Sequence, residues 1–204
     1  MIKIINVYNG PIGSSGQGGG VKYIENLVKL QKKYYSKIYL LSLGKGKKKL
    51  VNINGVNVIF FPIGQSHNWI FFCIKLFIFL IKNKKEFSNS VFHIHRIYFA
   101  PFIRIIKVRK IVATIHTKTF DVFRLKYPFL KFLIYLFIKI ERKIINNFVN
   151  DLSFAGDYSR DLYKKRHKNL RKKLWHLPPP FNFKRARKSN FFKKEKKKII
   201  LVVG

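Results

Sequence analysis

Short apolar runs alternate with longer segments of helical period along most of the chain. The runs Ile2–Tyr8, Lys37–Ser42, Gly55–Phe61, Val91–His95, Lys110–His116, Phe148–Ala155 and Lys173–Leu177 predict strands, the third closed by Pro62 and the last stopped by Pro178, Pro179 and Pro180. Between them, Gly20–Lys33, Trp69–Lys82, Tyr98–Val108, Pro128–Asn146 and Asp157–Arg166 predict helices. In the first helix Val21, Ile24, Leu27, Val28 and Gln31 recur near a 3.6-residue period. Asn9–Gly20 reads as a glycine-rich loop and Gly44–Asn54 as a basic turn region.

Strands separated by helices imply right-handed βαβ crossovers and a parallel sheet. The strands read as apolar on both faces, as expected where helices cover both sides. The expected fold is therefore α/β, a Rossmann-like doubly wound parallel sheet flanked by helices, over residues 1–180. Residues 181–198 are polar and basic and read as a linker. Ile199–Val203 reads as one further strand, followed by Gly204. The expectation is that residues 199–204 begin a second α/β domain, of which this chain holds only the first strand.

The composition narrows the classes. Aliphatic, aromatic and cysteine residues make up 48% of the 204, too many for a disordered chain. Lys and Arg number 43 against 8 Asp and Glu, a net charge of +35, so the surface attracts anions. A single cysteine, Cys73, rules out a disulfide scaffold and points to a reducing, cytoplasmic compartment. Met1 leads directly into an apolar strand, without a charged segment or cleavage site before it. Two greasy stretches, Trp69–Ile81 and Phe129–Ile140, are shorter than the roughly 20 residues that span a bilayer, and read as core or surface-lying helices. Residues 164–198 hold 16 Lys or Arg against Glu195 alone, with Phe181, Phe183, Phe191 and Phe192 among them. Such a run is either a solvated face or a contact with an anionic membrane, on the inner side of which the protein would sit peripherally. A non-enzymatic basic adaptor for anionic lipid or nucleic acid is the alternative to a catalytic reading. The chain has no recognised nucleic-acid motif, so nucleic acid is the less favoured partner.

Candidate chemistry gathers where strands end. Gly18, Gly19 and Gly20 lie between the first strand and first helix, where free N–H groups favour an anion. Gly16 and Gly18 match the start of a dinucleotide fingerprint, but its third glycine falls on Val21, and the second strand ends without an acidic residue. No Walker loop is present. His93, His95 and His116 fall at strand ends on the edge that carries the glycine loop. His95 and His116 read as site-facing, whereas His93 reads equally as a core residue bonded to backbone. A zinc site from the three lacks thiolate and carboxylate partners. Asp121, in the loop after His116, is placed to face a substrate. Glu25 is expected to pair with Lys29, and Glu141, flanked by Arg142 and Lys143, to form a structural ion pair. No pair of carboxylates or nucleophile elbow suggests hydrolysis.

Read in order, GGGVKYIENLVKL, VFHIH, ATIHT, DLSFAGDYSRDLYKK, KLWHLPPPFN and IILVVG resemble the successive motifs of the N-terminal, acceptor-side domain of family 4 glycosyltransferases, of GT-B fold. The resemblance covers essentially the whole chain. It implies retaining transfer of a sugar from a nucleotide-sugar donor to a glycan or lipid-linked acceptor, without a metal or other cofactor. On the matching positions it places Gly19 and Gly20 against donor diphosphate and acceptor, His116 at the donor sugar as the catalytic histidine, and His95 with His93 toward the acceptor. The family's main nucleotide site, with its basic pair and E-x(7)-E motif, lies in a C-terminal domain whose residues are not in this sequence. The resemblance therefore implies weak donor binding and little catalysis unless a separate C-terminal domain completes the cleft. PPPFN departs from the family's Gly-Val-Asp hinge, and Val91 stands where an acid is common.

Overall fold

A computed structural model describes residues 3–12, 19–53, 55–65, 68–116, 131–155, 157–167 and 174–176. Gly18, Asp121, the 181–198 linker and residues 199–204 lie outside the described residues. The strands are β1 (Ile4–Pro11), β2 (Ile38–Leu43), β3 (Lys49–Ile53), β4 (Val56–Pro62), β5 (Val91–Ile94), β6 (Lys110–Ile115), β7 (Asp151–Phe154) and β8 (Leu174–His176). The helices are α1 (Gly19–Gln31), α2 (Trp69–Lys82), α3 (Lys84–Phe87), α4 (Ala100–Arg104), α5 (Lys131–Phe148) and α6 (Asp157–Arg166), with a 3₁₀ turn at Ile97–Phe99.

The strands form one sheet in the order β3-β4-β2-β1-β5-β6-β7-β8. All its pairings are parallel except β3 with β4. The chain winds outward from β1 through β2 to β4, returns across the sheet, and winds the other way from β5. This is the doubly wound, Rossmann-like architecture expected from the sequence, with a topological switch point between β1 and β5.

The region Gly44–Asn54, expected as a basic turn, contains β3. Asn52 holds the tight reversal, accepting from the Gly55 N–H at 2.9 Å, and Gly55 has φ +83°, a conformation that glycine adopts freely. Five residues long and mostly exposed, β3 has the pattern of an edge strand, and its short apolar stretch next to a basic run hid it from an apolar-run reading. The helix expected over Tyr98–Val108 is shorter, a 3₁₀ turn followed by α4. It stops at Arg104, and Lys107 then takes a left-handed φ of 56°. Arg104 donates to the Phe148 carbonyl at 3.1 Å and to Asn150 Oδ1 at 3.0 Å, and Asn150 Oδ1 also accepts from the Ile111 N–H. Those bonds fasten the end of α5 to the start of β6.

One cluster of buried side chains lies where α2, α3, α4 and α5 meet one face of the sheet, centred on Phe72, Leu76, Phe92, Ile94, Ile103 and Ile145. The other face packs on α1 through Ile24, Leu27, Val28, Leu40 and Val58. The expectation that strands are apolar on both faces holds for β2, where every residue is buried. It fails for β5, β6 and β7. There the face toward α1 carries His93, Thr114 and Ser153, while Phe92, Ile94, Ala113, Leu152 and Phe154 point the other way into the apolar cluster. Among the described residues no helix is long and apolar enough to cross a membrane.

Candidate functional site at the carboxyl rim

Because β1, β5 and β6 are parallel, their carboxyl ends share one rim, and α1 starts there. The expected placement of the glycine loop and the histidines on one edge is thus met by Gly19, Gly20, His95 and His116. In open α/β sheets, ligands bind outside this rim at the switch point.

Beneath the rim a buried polar chain crosses the sheet. Asn6 on β1 and Gln31 at the end of α1 exchange two amide bonds, Asn6 Nδ2 donating to Gln31 Oε1 at 2.8 Å and Gln31 Nε2 to Asn6 Oδ1 at 3.1 Å. Gln31 Nε2 also lies 3.4 Å from His93 Nδ1, and His93 Nε2 lies 2.7 Å from Thr114 Oγ1. Thr114 Oγ1 is 2.6 Å from Ser153 Oγ, which donates to the Ala113 carbonyl at 3.2 Å. The last bond fixes the rest. Ser153 uses its proton on the carbonyl, so it accepts from Thr114; Thr114 then accepts from His93, whose proton sits on Nε2. His93 Nδ1 is left to accept from Gln31. His93 is therefore a core residue, but one bonded to side chains rather than to backbone, and it directs no ring nitrogen at a ligand.

Its ring stacks on His95, centroids 4.8 Å apart, and thereby supports the pair above it. His95 Nδ1 lies 2.9 Å from His116 Nε2. Tyr23 of α1 meets the His116 ring edge-on at 4.3 Å, and Tyr8 of β1 meets His95 at 6.1 Å. His95 Nε2 is buried without a hydrogen-bond partner. An unpaired ring lone pair is less costly there than an unpaired N–H, so the shared proton sits on His95 Nδ1 and is donated to His116 Nε2. His116 then carries its own proton on Nδ1, the nitrogen that His95 does not engage.

All three imidazoles are held neutral. Burial, with the nearby His116, pushes His93 from 6.5 down to about 3. Burial and its two neighbours hold His95 well below the ordinary range. Burial and the Arg96 guanidinium bring His116 down to about 4. At neutral pH the pair can donate and accept hydrogen bonds but carries no charge. Among the described residues, the exposed Arg96 brings a positive charge to this rim and acts on Tyr8 as well as His116.

Gly20 has a packing role. A Cβ built on it would lie 2.7 Å from the Tyr8 hydroxyl, and one on Gly10 would lie 2.5 Å from the same ring. The bare backbone at both positions admits Tyr8 against the start of α1. Alanine normally stabilises a helix relative to glycine by about 1 kcal/mol. Here Gly20→Ala is expected to cost about 1–2 kcal/mol in urea unfolding, and Tyr8→Phe in the same chain to restore most of it.

Glu25 pairs with Lys22 at 3.1 Å, one turn back, rather than with Lys29. Glu141 faces His167 at 3.2 Å, both buried, rather than Arg142 or Lys143. Among the described residues, no group of three or more His, Cys, Asp or Glu is placed to hold a metal. Asn6, Tyr8, Tyr23, Gln31, Arg96, Thr114 and Ser153 are parts of the site that motif reading passed over. The signal for two of them was alternation: Thr114 stands two residues before His116, as His93 stands before His95, and Ser153 repeats the pattern on β7.

No protein-family model matches the sequence, and comparison with curated proteins finds no significant match. Solved structures share the fold. Anabaena HepE in complex with UDP and glucose superposes with TM-score 0.54 at 12% identity, over 90% of this chain and 46% of that one. HepE in complex with UDP-glucose gives 0.51 at 10%, over 90% and 45%. Sucrose-phosphate synthase from Thermosynechococcus elongatus gives 0.60 at 12%, over 87% and 48%. The chain therefore spans about half the length of the structures it resembles, and its fold is that of one Rossmann-like half of a GT-B architecture.

Proposed function

We propose that the chain is the acceptor-side half of a retaining glycosyltransferase, which moves a sugar from a nucleotide-sugar donor to a glycan or lipid-linked acceptor. The observation that carries this is the neutral His95–His116 pair, set with Arg96 on the rim at the switch point. The likeness to HepE, solved with UDP-glucose, supports a nucleoside-diphosphate sugar as donor. The order of motifs supports placement in family 4.

In this reading the anomeric carbon exchanges its bond to the diphosphate oxygen for one to the acceptor oxygen. The acceptor proton leaves with the diphosphate. His116 is the catalytic residue, its Nδ1–H donating to a donor-sugar hydroxyl without adding charge. His95 holds the His116 ring through its own N–H, and His93 supports His95 from below. Arg96 and the amides of Gly18, Gly19 and Gly20 meet the diphosphate, and Asp121 faces the acceptor side. Transfer needs no metal, but it requires a second Rossmann-type half to hold the nucleotide, to which residues 181–198 would lead and which 199–204 would open. A basic adaptor has no use for such a buried imidazole pair.

The test is transfer from UDP-glucose to glycan or lipid-linked acceptors, by the chain mixed with a separately expressed donor-binding half. Transfer is expected only in the mixture. His116→Ala is expected to lower kcat about 10²–10³-fold while changing UDP-glucose affinity only a few-fold. Absence of transfer with every complement would remove the enzymatic reading.

A further inference from the structure

Helix α2 is apolar on two opposite sides. At about 100° per residue, the buried Phe72, Cys73, Leu76 and Leu80 occupy a sector about 100° wide facing the sheet. Ile70, Phe71, Ile74, Ile78 and Ile81 occupy a second sector of about the same width on the far side, and each is 46–56% exposed. Lys75 and Lys82 flank that outer stripe, both exposed. A solvated helix of a soluble domain carries polar residues on this side. Helix α5, on the same face of the sheet with α4 between it and α2, repeats the feature. Its amino-terminal half exposes Phe132, Tyr135 and Leu136, while Glu141 and Ile145 further on are buried. Both helices run antiparallel to the strands, so the amino-terminal turn of α2 and the exposed half of α5 lie toward the rim that holds His95 and His116.

We infer that the outer stripe of α2, with the exposed half of α5, is a docking surface for an anionic lipid bilayer, which lies against the helical layer and brings the histidine rim to the lipid–water boundary. Charge selects this occupant. The two helices carry Lys75, Lys82, Lys131, Lys139, Arg142 and Lys143 against one acid, Glu141, whose side chain is buried facing His167. A second copy would bring another +35 charge onto the same face. Anionic lipid instead supplies the opposite charge to the lysines and hydrocarbon to Ile70, Ile74, Ile78 and Ile81, which make up all of the α2 stripe but Phe71 and offer no ring to stack a nucleobase, while Phe71, Phe132 and Tyr135 suit the lipid–water boundary. With 14 residues α2 is too short to span, and lies in the interface plane with its lysines reaching back to the headgroups.

The experiment is flotation of the full chain with vesicles of phosphatidylcholine containing about 30% phosphatidylglycerol, and with pure phosphatidylcholine, at about 0.15 M salt. Binding to the anionic vesicles is expected, with at least about tenfold weaker binding to neutral ones. Ile74→Ser with Ile78→Ser is expected to weaken anionic binding by at least about tenfold, and Phe71→Ser alone by a few-fold. Tyr34→Ser with Leu50→Ser removes still more exposed apolar groups from elsewhere on the molecule, and should change binding by less than about twofold. Circular dichroism checks that each variant is folded. Equal binding to both vesicles, wild-type binding by folded stripe variants, or a dimer in light scattering that the stripe variants dissociate would each overturn the proposal. Vesicle binding involves no sugar, so its failure would leave the glycosyltransferase reading standing.

Discussion

Lowering the pH from about 7 to about 5 is expected to remove about 4 kcal/mol of folding stability through His93 and His116, about 2 kcal/mol each, with His95 adding to the loss in the same direction. In the unfolded chain each imidazole takes up a proton as pH falls through 6.5, its ordinary value. In the folded chain burial delays uptake to about 4 for His116 and about 3 for His93, and keeps His95 well below the usual range. Between those values the unfolded state binds more protons. The contribution is therefore complete above 6.5 and is lost as pH falls toward the folded values. Domains of this size are stable by only about 5–15 kcal/mol, so the loss brings the fold near its limit. Urea titrations at a series of pH values measure it. His93→Gln should reduce proton uptake on unfolding near pH 5 from about three to about two. A flat stability profile between pH 7 and 5 would mean that the three rings are not buried as a group.

The second large effect is expected from Thr114→Val. The substitution keeps shape and removes one hydroxyl, but that hydroxyl accepts from His93 Nε2 and donates to Ser153. Ser153 keeps its bond to the Ala113 carbonyl, whereas the His93 N–H is left buried without an acceptor. A cost of about 2–3 kcal/mol in urea unfolding is expected. Thr114→Ser retains the hydroxyl and should cost about 1 kcal/mol, the worth of a buried methyl group. A second readout separates positioning from bulk stability. His93 stacks on His95, so Thr114→Val should also shift the imidazole nitrogen resonances of His95 and His116, which Thr114→Ser should leave near wild type. Equal costs for the two substitutions would contradict the assigned direction of the polar chain.

The layered architecture was legible because strands buried on both faces and helices facing a core both leave strong apolar periods. IYLLSL at β2 and the helical period from Val21 to Gln31 are examples. Gln31 kept that period although it is polar, because its amide is satisfied inside by Asn6 and His93. What escaped was set by pairing rather than by pattern. Strand β3 is short and mostly exposed because it lies at an edge, and its turn depends on one Asn52–Gly55 bond. The rim was half legible. His95 and His116 stood out as imidazoles at strand ends, but the partners that fix their protons, Thr114 and Ser153, are common strand residues. Gly20 drew notice as a possible phosphate contact, while its closeness to Tyr8 depends on how α1 docks against β1. Glu141 has basic residues beside it in sequence, yet its partner is His167, brought close only by the packing of α6 against the sheet and α5.

Nitrogen-15 NMR of the histidine-labelled chain, titrated with millimolar UDP-glucose at neutral pH, tests the central claim most directly. Neutral resonances for His93, His95 and His116 are expected, with a proton on His93 Nε2, and addition of the nucleotide sugar should move the His116 and His95 signals while leaving His167 in place. Charged imidazoles at that pH, or UDP-glucose binding that leaves His95 and His116 unmoved, would contradict a glycosyl-transfer crevice built on this rim.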